Sequence, residues 1–290
     1  MTRRAVRVVV PARPFDMDGI PVRQPMPHPG LAELDPFLLL HHVVVEHEGG
    51  HRPQEDGVPP HPHRGFEPVT FIYRGGVHHR DSRGHDSVIG AGGVQWITAG
   101  MGLVHSERPP RALSEQGGTQ ELIQLWINLP ARAKFVQPRY QGFQREALPV
   151  FEKDGVRVQV VAGAFEDLVG PVETHTPVTA RNITLARGAR FEAPLPEGQA
   201  AFAYLLDGLV RVNGSETVRG LKLVAFEPGG DTALFEALED TRMLLMAGAP
   251  LGEPVVRSGP FVMNDTTQIL EAMRDAQMGK MGVLIEKFDG

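Results

Sequence analysis

The chain contains no cysteine, which excludes disulfides, thiolate metal sites and thiol nucleophiles together. It has no surplus of positive charge: 29 lysines and arginines face 35 acidic residues, a net charge of −6. No general attraction for nucleic acid or an anionic membrane is therefore expected. No stretch approaches the ~18 uncharged apolar residues that a membrane span requires. The opening MTRRAVRVVVPARPF is interrupted by Arg7 and its apolar part is too short for a signal peptide. The expected address is cytoplasmic.

Glycine and proline are plentiful, at 33 and 25 of 290 residues, a balance that favours short strands and turns over long helices. Residues 6–10, 71–73, 95–98, 122–129 and 156–162 are β-rich and bounded by turn residues. Turn signals (RGG, GAGG, DG, NG, PGG) recur at the cadence of an all-β sandwich or barrel. One helix is expected near the end, over 266–278, with Ile269, Met273 and Ala276 on one face, an Asn-Asp cap before it and Gly279 after it. A weaker one is expected after residues 129–132. There is also a faint internal repeat. FIYRG at 71–75 matches YLLDG at 204–208, and TAG at 98–100 matches PGG at 228–230.

Eleven of the twelve histidines lie at or before residue 105. In a strand, residues i and i+2 share a face, so His61 and His63 present two imidazoles to one side, as two ligands of one metal need. The alternative is a solvated, Pro-flanked loop. His105 and Glu107 repeat the spacing after a Gly-rich turn and the apolar pair Leu103-Val104. Two such strands could close a site of three imidazoles and one carboxylate, a set that suits Fe, Mn, Ni or Cu with positions left for substrate or O2. Of His41 and His42, one is expected to face inward and the other out. His78, His79 and His85 are expected in solvent, and His28, His47 and His51 in loops. Glu67 follows His63 by four residues and could reach the same ion.

HPHRGFE at 61–67 and GGVQWITAGMGLVHSE at 92–107 resemble the two motifs of the cupin superfamily, and more closely those of the pirin family within it. GEPVVRSGPFVMN at 252–264 and the helix after it are pirin-like as well. The resemblance implies an all-β bicupin: two stacked, jelly-roll-like cupin barrels with a short C-terminal helix. It divides the chain into a metal-binding barrel at 1–133 and a metal-free barrel with the helix at 134–290. The ligands it implies are His61, His63, His105 and Glu107, with Glu67 orienting a ligand or Arg64 through hydrogen bonds. Carried onto the internal repeat, it sets Pro194 and Pro196 opposite His61 and His63, and Phe235 and Ala237 opposite His105 and Glu107.

The ion implied is one divalent metal per chain, Fe(II) first, with Mn, Ni, Co, Cu and Zn as alternatives. The activity implied is an oxidoreductase of quercetin 2,3-dioxygenase type acting on a flavonol-like or phenolic substrate with O2. There, Glu107, or Glu67 if it is free, would accept the hydroxyl proton. Arg64, Phe66, Phe71, Trp96 and Met101 are the candidate lining for a flat aromatic ring. The second role implied is regulatory: a protein partner bound according to the metal's redox state, without catalysis.

Overall fold

The computed structural model describes residues 2–17, 19–31 and 33–288. Alternating burial in the strands produces two compact units, neither of them a continuous piece of chain. One comprises Asp16–Val22, Leu39–Glu146 and Gly252–Gly290, the other Met1–Phe15, Arg23–Leu38 and Ala147–Leu251. The expected division at residue 133/134 followed chain order, and the structure corrects it in both directions. Strand Val6–Pro11 pairs with Lys222–Phe226, which commits the N-terminus to the later unit. The C-terminal helix, expected with the later barrel, belongs to the histidine-bearing unit.

Around the histidines a seven-stranded sheet runs in the order Arg139–Phe143, Val94–Thr98, Phe66–Arg74, Gly118–Asn128, Phe37–His47, Ile20–Met26, Arg13–Met17. A four-stranded sheet runs Val58–His63, Leu103–Arg108, Gly76–Asp81, Asp86–Gly90. From Phe37–His47 to Gly118–Asn128 the chain crosses repeatedly between the two sheets, interrupted by the hairpin Gly76–Asp81/Asp86–Gly90, a jelly roll.

The other unit repeats this order over the eight strands of its core, with the N-terminal strand Val6–Pro11 in the outer place that Arg139–Phe143 takes in the first. Its seven-stranded sheet is Val6–Pro11, Lys222–Phe226, Ala200–Asp207, Thr241–Gly248, Val178–Leu185, Val156–Ala162, Val150–Lys153. Its four-stranded sheet is Arg190–Pro194, Thr232–Ala237, Leu209–Val212, Glu216–Arg219. The faint repeat in the sequence is thus a duplication of topology. The residues it places opposite the histidines need correction, however. Pro194 is exposed, whereas Phe191, Ala193 and Leu195 turn inward and pack with Phe235 and Ala237 in one apolar core. Alternation along the strand decides this: odd positions face in.

The C-terminal helix, Thr266–Gln277, starts where Asp265 Oδ1 accepts the Gln268 N–H at 2.8 Å, a cap worth about 1 kcal/mol. Ile269 and Ala272 are buried against Phe261, Met263 and Met281. The segment before it is pinned by Lys134, whose buried ammonium donates to the carbonyls of Gly65 (2.8 Å) and Val262 (3.0 Å) and to Asn128 Oδ1 (2.8 Å). Gly65 has φ +88° and a Cβ there would collide with the Val262 carbonyl, so only glycine serves after Arg64. The helix expected after 129–132 is a single 3₁₀ turn, Ala131–Ala133, and a short helix at Arg111–Gln116 was not foreseen. Among the described residues no helix is long and apolar enough to cross a membrane.

Candidate metal centre

Strands Val58–His63 and Leu103–Arg108 pair antiparallel with His105 opposite His61 and Leu103 opposite His63. Directly opposed residues share a face, so the ladder sets three imidazoles together. Their ring centroids are 4.4 to 5.0 Å apart, and one nitrogen of each lies within 4.8 Å of the others. His63 and His105 are buried, and His61 is half-buried.

The outer nitrogens assign the protons. His61 Nδ1 donates to the Pro59 carbonyl at 2.8 Å and His63 Nδ1 faces the Pro260 carbonyl at 3.4 Å. A carbonyl only accepts, so both rings carry their hydrogen on Nδ1 and leave a lone pair on Nε2. Those two Nε2 atoms face each other at 3.1 Å. His105 Nε2 is buried and has no hydrogen-bond partner among the described residues. Opposed lone pairs and an orphaned acceptor are unfavourable by themselves; a cation between them satisfies all three. Burial first, then the neighbouring imidazoles, push the pKa of His63 and of His105 well below the ordinary value. The rings are thereby kept neutral, the form that ligates metal.

Glu107 lies two residues beyond His105, but its carboxylate is not part of the 4.8 Å group. It is held by neutral donors. Thr70 Oγ1 donates to Oε1 at 3.1 Å, Gln95 Nε2 donates to the same oxygen, and Gln124 Nε2 donates to Oε2 at 2.7 Å. Amides and a hydroxyl fix the carboxylate without neutralising it, so its charge remains available to an ion. Three neutral imidazoles and one carboxylate would leave a divalent cation with a net charge of about +1.

Glu67 is on the other side of the sheet. Phe66 contacts His63, with ring centroids 5.0 Å apart, and Thr70 holds Glu107, so positions 66, 68 and 70 face the histidines and 67, 69 and 71 face away. Glu67 Oε1 accepts from Thr98 Oγ1 at 2.7 Å. Burial raises its pKa to about 7, against the lowering effect of that hydrogen bond. Phe71 and Trp96 share that far face, which removes both from the expected lining. Arg64 is also committed elsewhere: Nε donates to the Met101 carbonyl at 2.7 Å and the guanidinium pairs with Asp275 at 3.1 Å.

The wall beside the histidines is Phe66 tilted at 33° against Trp126, ring centroids 4.2 Å apart, with the Trp126 ring 5.4 Å from His63. Leu122, Gln124 and Trp126 are half-buried while Ile123, Leu125 and Ile127 are fully buried, so the histidine face is the one that solvent reaches. His41 and His42 are both buried, where one was expected outside; burial lowers the pKa of His41 to about 4. His79, expected in solvent, is wholly buried. Residue 79 is opposite Glu107 in the ladder and Asp81 is opposite His105, a pairing that no local pattern announces.

Two jelly rolls of one strand order, one with a histidine cluster inside, define a two-domain cupin. Comparison with known proteins agrees. The model of the family described as Pirin matches residues 19–127 and that of the Pirin C-terminal cupin domain matches 180–282. A pirin-like protein of Solanum lycopersicum is 38% identical over 283 residues, covering 97% of this chain and 93% of the relative. A Pseudomonas aeruginosa protein named as a candidate quercetin 2,3-dioxygenase is 36% identical over 269 residues, 91% of this chain and 92% of its own. The crystal structure of a quercetin 2,3-dioxygenase from Acinetobacter baumannii superposes with a TM-score of 0.92 at 34% identity, covering 98% of this chain and 100% of that one. The chain belongs to the pirin family.

Proposed function

We propose that the protein is a mononuclear iron dioxygenase that opens a flavonol-like or other phenolic substrate with O2. The observation that carries this reading is the convergence of three Nε2 lone pairs, one of them an orphaned buried acceptor, beside a carboxylate held by the neutral donors of Thr70, Gln95 and Gln124. His61, His63 and His105 would hold the ion, with Glu107 as fourth ligand. A ferrous ion there would bind adjacent substrate oxygens and activate dioxygen.

The protein's own groups have distinct tasks. Half-buried Trp126, backed by the fully buried ring of Phe66, offers an aromatic face beside the histidines, suited to a planar ring. Glu107 is the group placed to accept the hydroxyl proton of the substrate; Thr70, Gln95 and Gln124 hold its oxygens and so fix where that proton is taken. Glu67, across the sheet, has no access to it. The likeness to a quercetin 2,3-dioxygenase over nearly the whole chain supports the substrate class.

Oxygen uptake with quercetin, by protein loaded in turn with Fe(II), Mn(II), Ni(II), Co(II) and Cu(II), tests the proposal. Uptake that is greatest with Fe(II) and falls by roughly 10²- to 10⁴-fold in Glu107→Gln is expected. No uptake with any of these metals would overturn it.

A further inference from the structure

The orphaned nitrogen of His105 has a cause on the far side of its ring. His105 Nδ1 is 3.4 Å from His79 Nδ1, and His79 Nε2 is 3.2 Å from Asp81 Oδ2. All three side chains are buried. Asp81 is fixed in turn: its Oδ1 accepts the backbone N–H groups of Arg83 (2.9 Å) and His85 (3.0 Å), and its Oδ2 also meets His85 Nδ1 at 2.8 Å. The ring of Tyr140 stacks on His79 at 4.4 Å and 15°, with its hydroxyl tied to Ser87 Oγ at 2.6 Å. His79 is thus clamped in both position and rotation.

The direction of every proton in this chain follows from its end. A carboxylate accepts only, so His79 carries its hydrogen on Nε2 and exposes a lone pair at Nδ1. That lone pair accepts from His105 Nδ1, which leaves His105 Nε2 bare on the side of His61 and His63. We infer that Asp81 and His79 are positioning residues, a two-step hydrogen-bond chain that forces His105 to aim an unprotonated Nε2 at the metal position. This rests on the reading of the three histidines as metal ligands and extends it to residues that touch no ion. The other two rings reach the same state by a simpler route, through backbone carbonyls. Only His105, on a strand flanked by ladders on both sides, takes its orientation from side chains.

Replacing one oxygen by an NH₂ group reverses the chain. In Asp81→Asn the amide oxygen keeps the two backbone donors, and its NH₂ is left facing His79 Nε2. His79 must then move its hydrogen to Nδ1, and His105 must carry its own on Nε2. Long-range ¹H–¹⁵N spectra of the imidazoles in metal-free protein read this directly. In the unaltered protein His105 is expected as the Nδ1–H form and His79 as the Nε2–H form, and Asp81→Asn is expected to exchange both. Competition with a chromophoric chelator for Fe(II) should show a loss of about 10- to 100-fold in affinity.

His79→Gln, whose amide can accept from His105 and donate to Asp81, should stay within about threefold, while His79→Leu should fall with Asp81→Asn. Asp86→Asn, which breaks the comparable His78–Asp86 contact (2.6 Å), should change neither readout. His105 found with its hydrogen on Nε2 in the unaltered protein overturns the inference. So does an Asp81→Asn protein with unchanged tautomers and affinity, or His79→Leu binding as tightly as His79→Gln. Correct tautomers in a protein that binds no metal would overturn the ligand reading and leave the chain standing.

Discussion

The two units share one strand order and fill it differently. In one, the inward positions of the four-stranded sheet include His61, His63, His105, Glu107, His79 and Asp81; in the other they include Phe191, Ala193, Phe235, Ala237, Val210 and Val212. The apolar unit gains transfer free energy from each of these side chains. The histidine unit gives that up, buries polar rings at a cost, and recovers it only through hydrogen bonds and an ion. Duplicated scaffolds thus separate into a part that holds the fold and a part that holds the chemistry.

The comparison can be broken first where packing is densest. Phe235→Ala removes a fully buried ring from the apolar core and should cost about 3–5 kcal/mol. Chemical denaturation followed by far-ultraviolet circular dichroism measures this, and metal content of the folded fraction should be unchanged. A loss below about 1 kcal/mol would mean that this core is not the stabilising element.

Acid should strike the other unit. His63, His105 and His41 have native pKa values below the ordinary one, with His41 near 4, so the unfolded chain takes up protons first. Stability is fully present above about pH 6.5 and falls as pH drops towards 4, by up to about 1.4 kcal/mol per pH unit for each such ring. Both tryptophans, Trp96 and Trp126, lie in the histidine-bearing unit, so their fluorescence in metal-free protein follows that unit. A flat signal from pH 7 to pH 4.5 would contradict the assignment of buried neutral rings.

The smallest effect is expected at Glu67. Its native pKa, about 7, lies above the ordinary 4.5, so its contribution is present at low pH and is lost as pH rises through 7. Glu67→Gln should therefore be the more stable protein at pH 8, with metal content and turnover unaltered. Loss of metal in this variant would bring Glu67 back to the site.

Much of the site was legible because strand alternation is local. His61-x-His63 and His105-x-Glu107 declare shared faces, and the Gly-rich turns declare where the strands begin. What escaped depends on pairing at a distance. Nothing in GVHHRD at 76–81 tells that position 79 will lie opposite Glu107, so a histidine after a hairpin glycine reads as solvated. Glu67 was misplaced for a related reason: its spacing from His63 crosses Gly65, where φ is +88°, and the alternation restarts there. The exchange of termini was illegible as well, since the partner of Val6–Pro11 lies more than 200 residues away at Lys222–Phe226.

The most direct test of the central claim is anomalous X-ray scattering at the iron edge from crystals of Fe(II)-loaded protein. One peak per chain, bounded by the Nε2 atoms of His61, His63 and His105 and accompanied by none in the unit built on Phe191 and Phe235, is the predicted result. Full loading with no density among those three nitrogens, or a peak in the apolar unit, would contradict it.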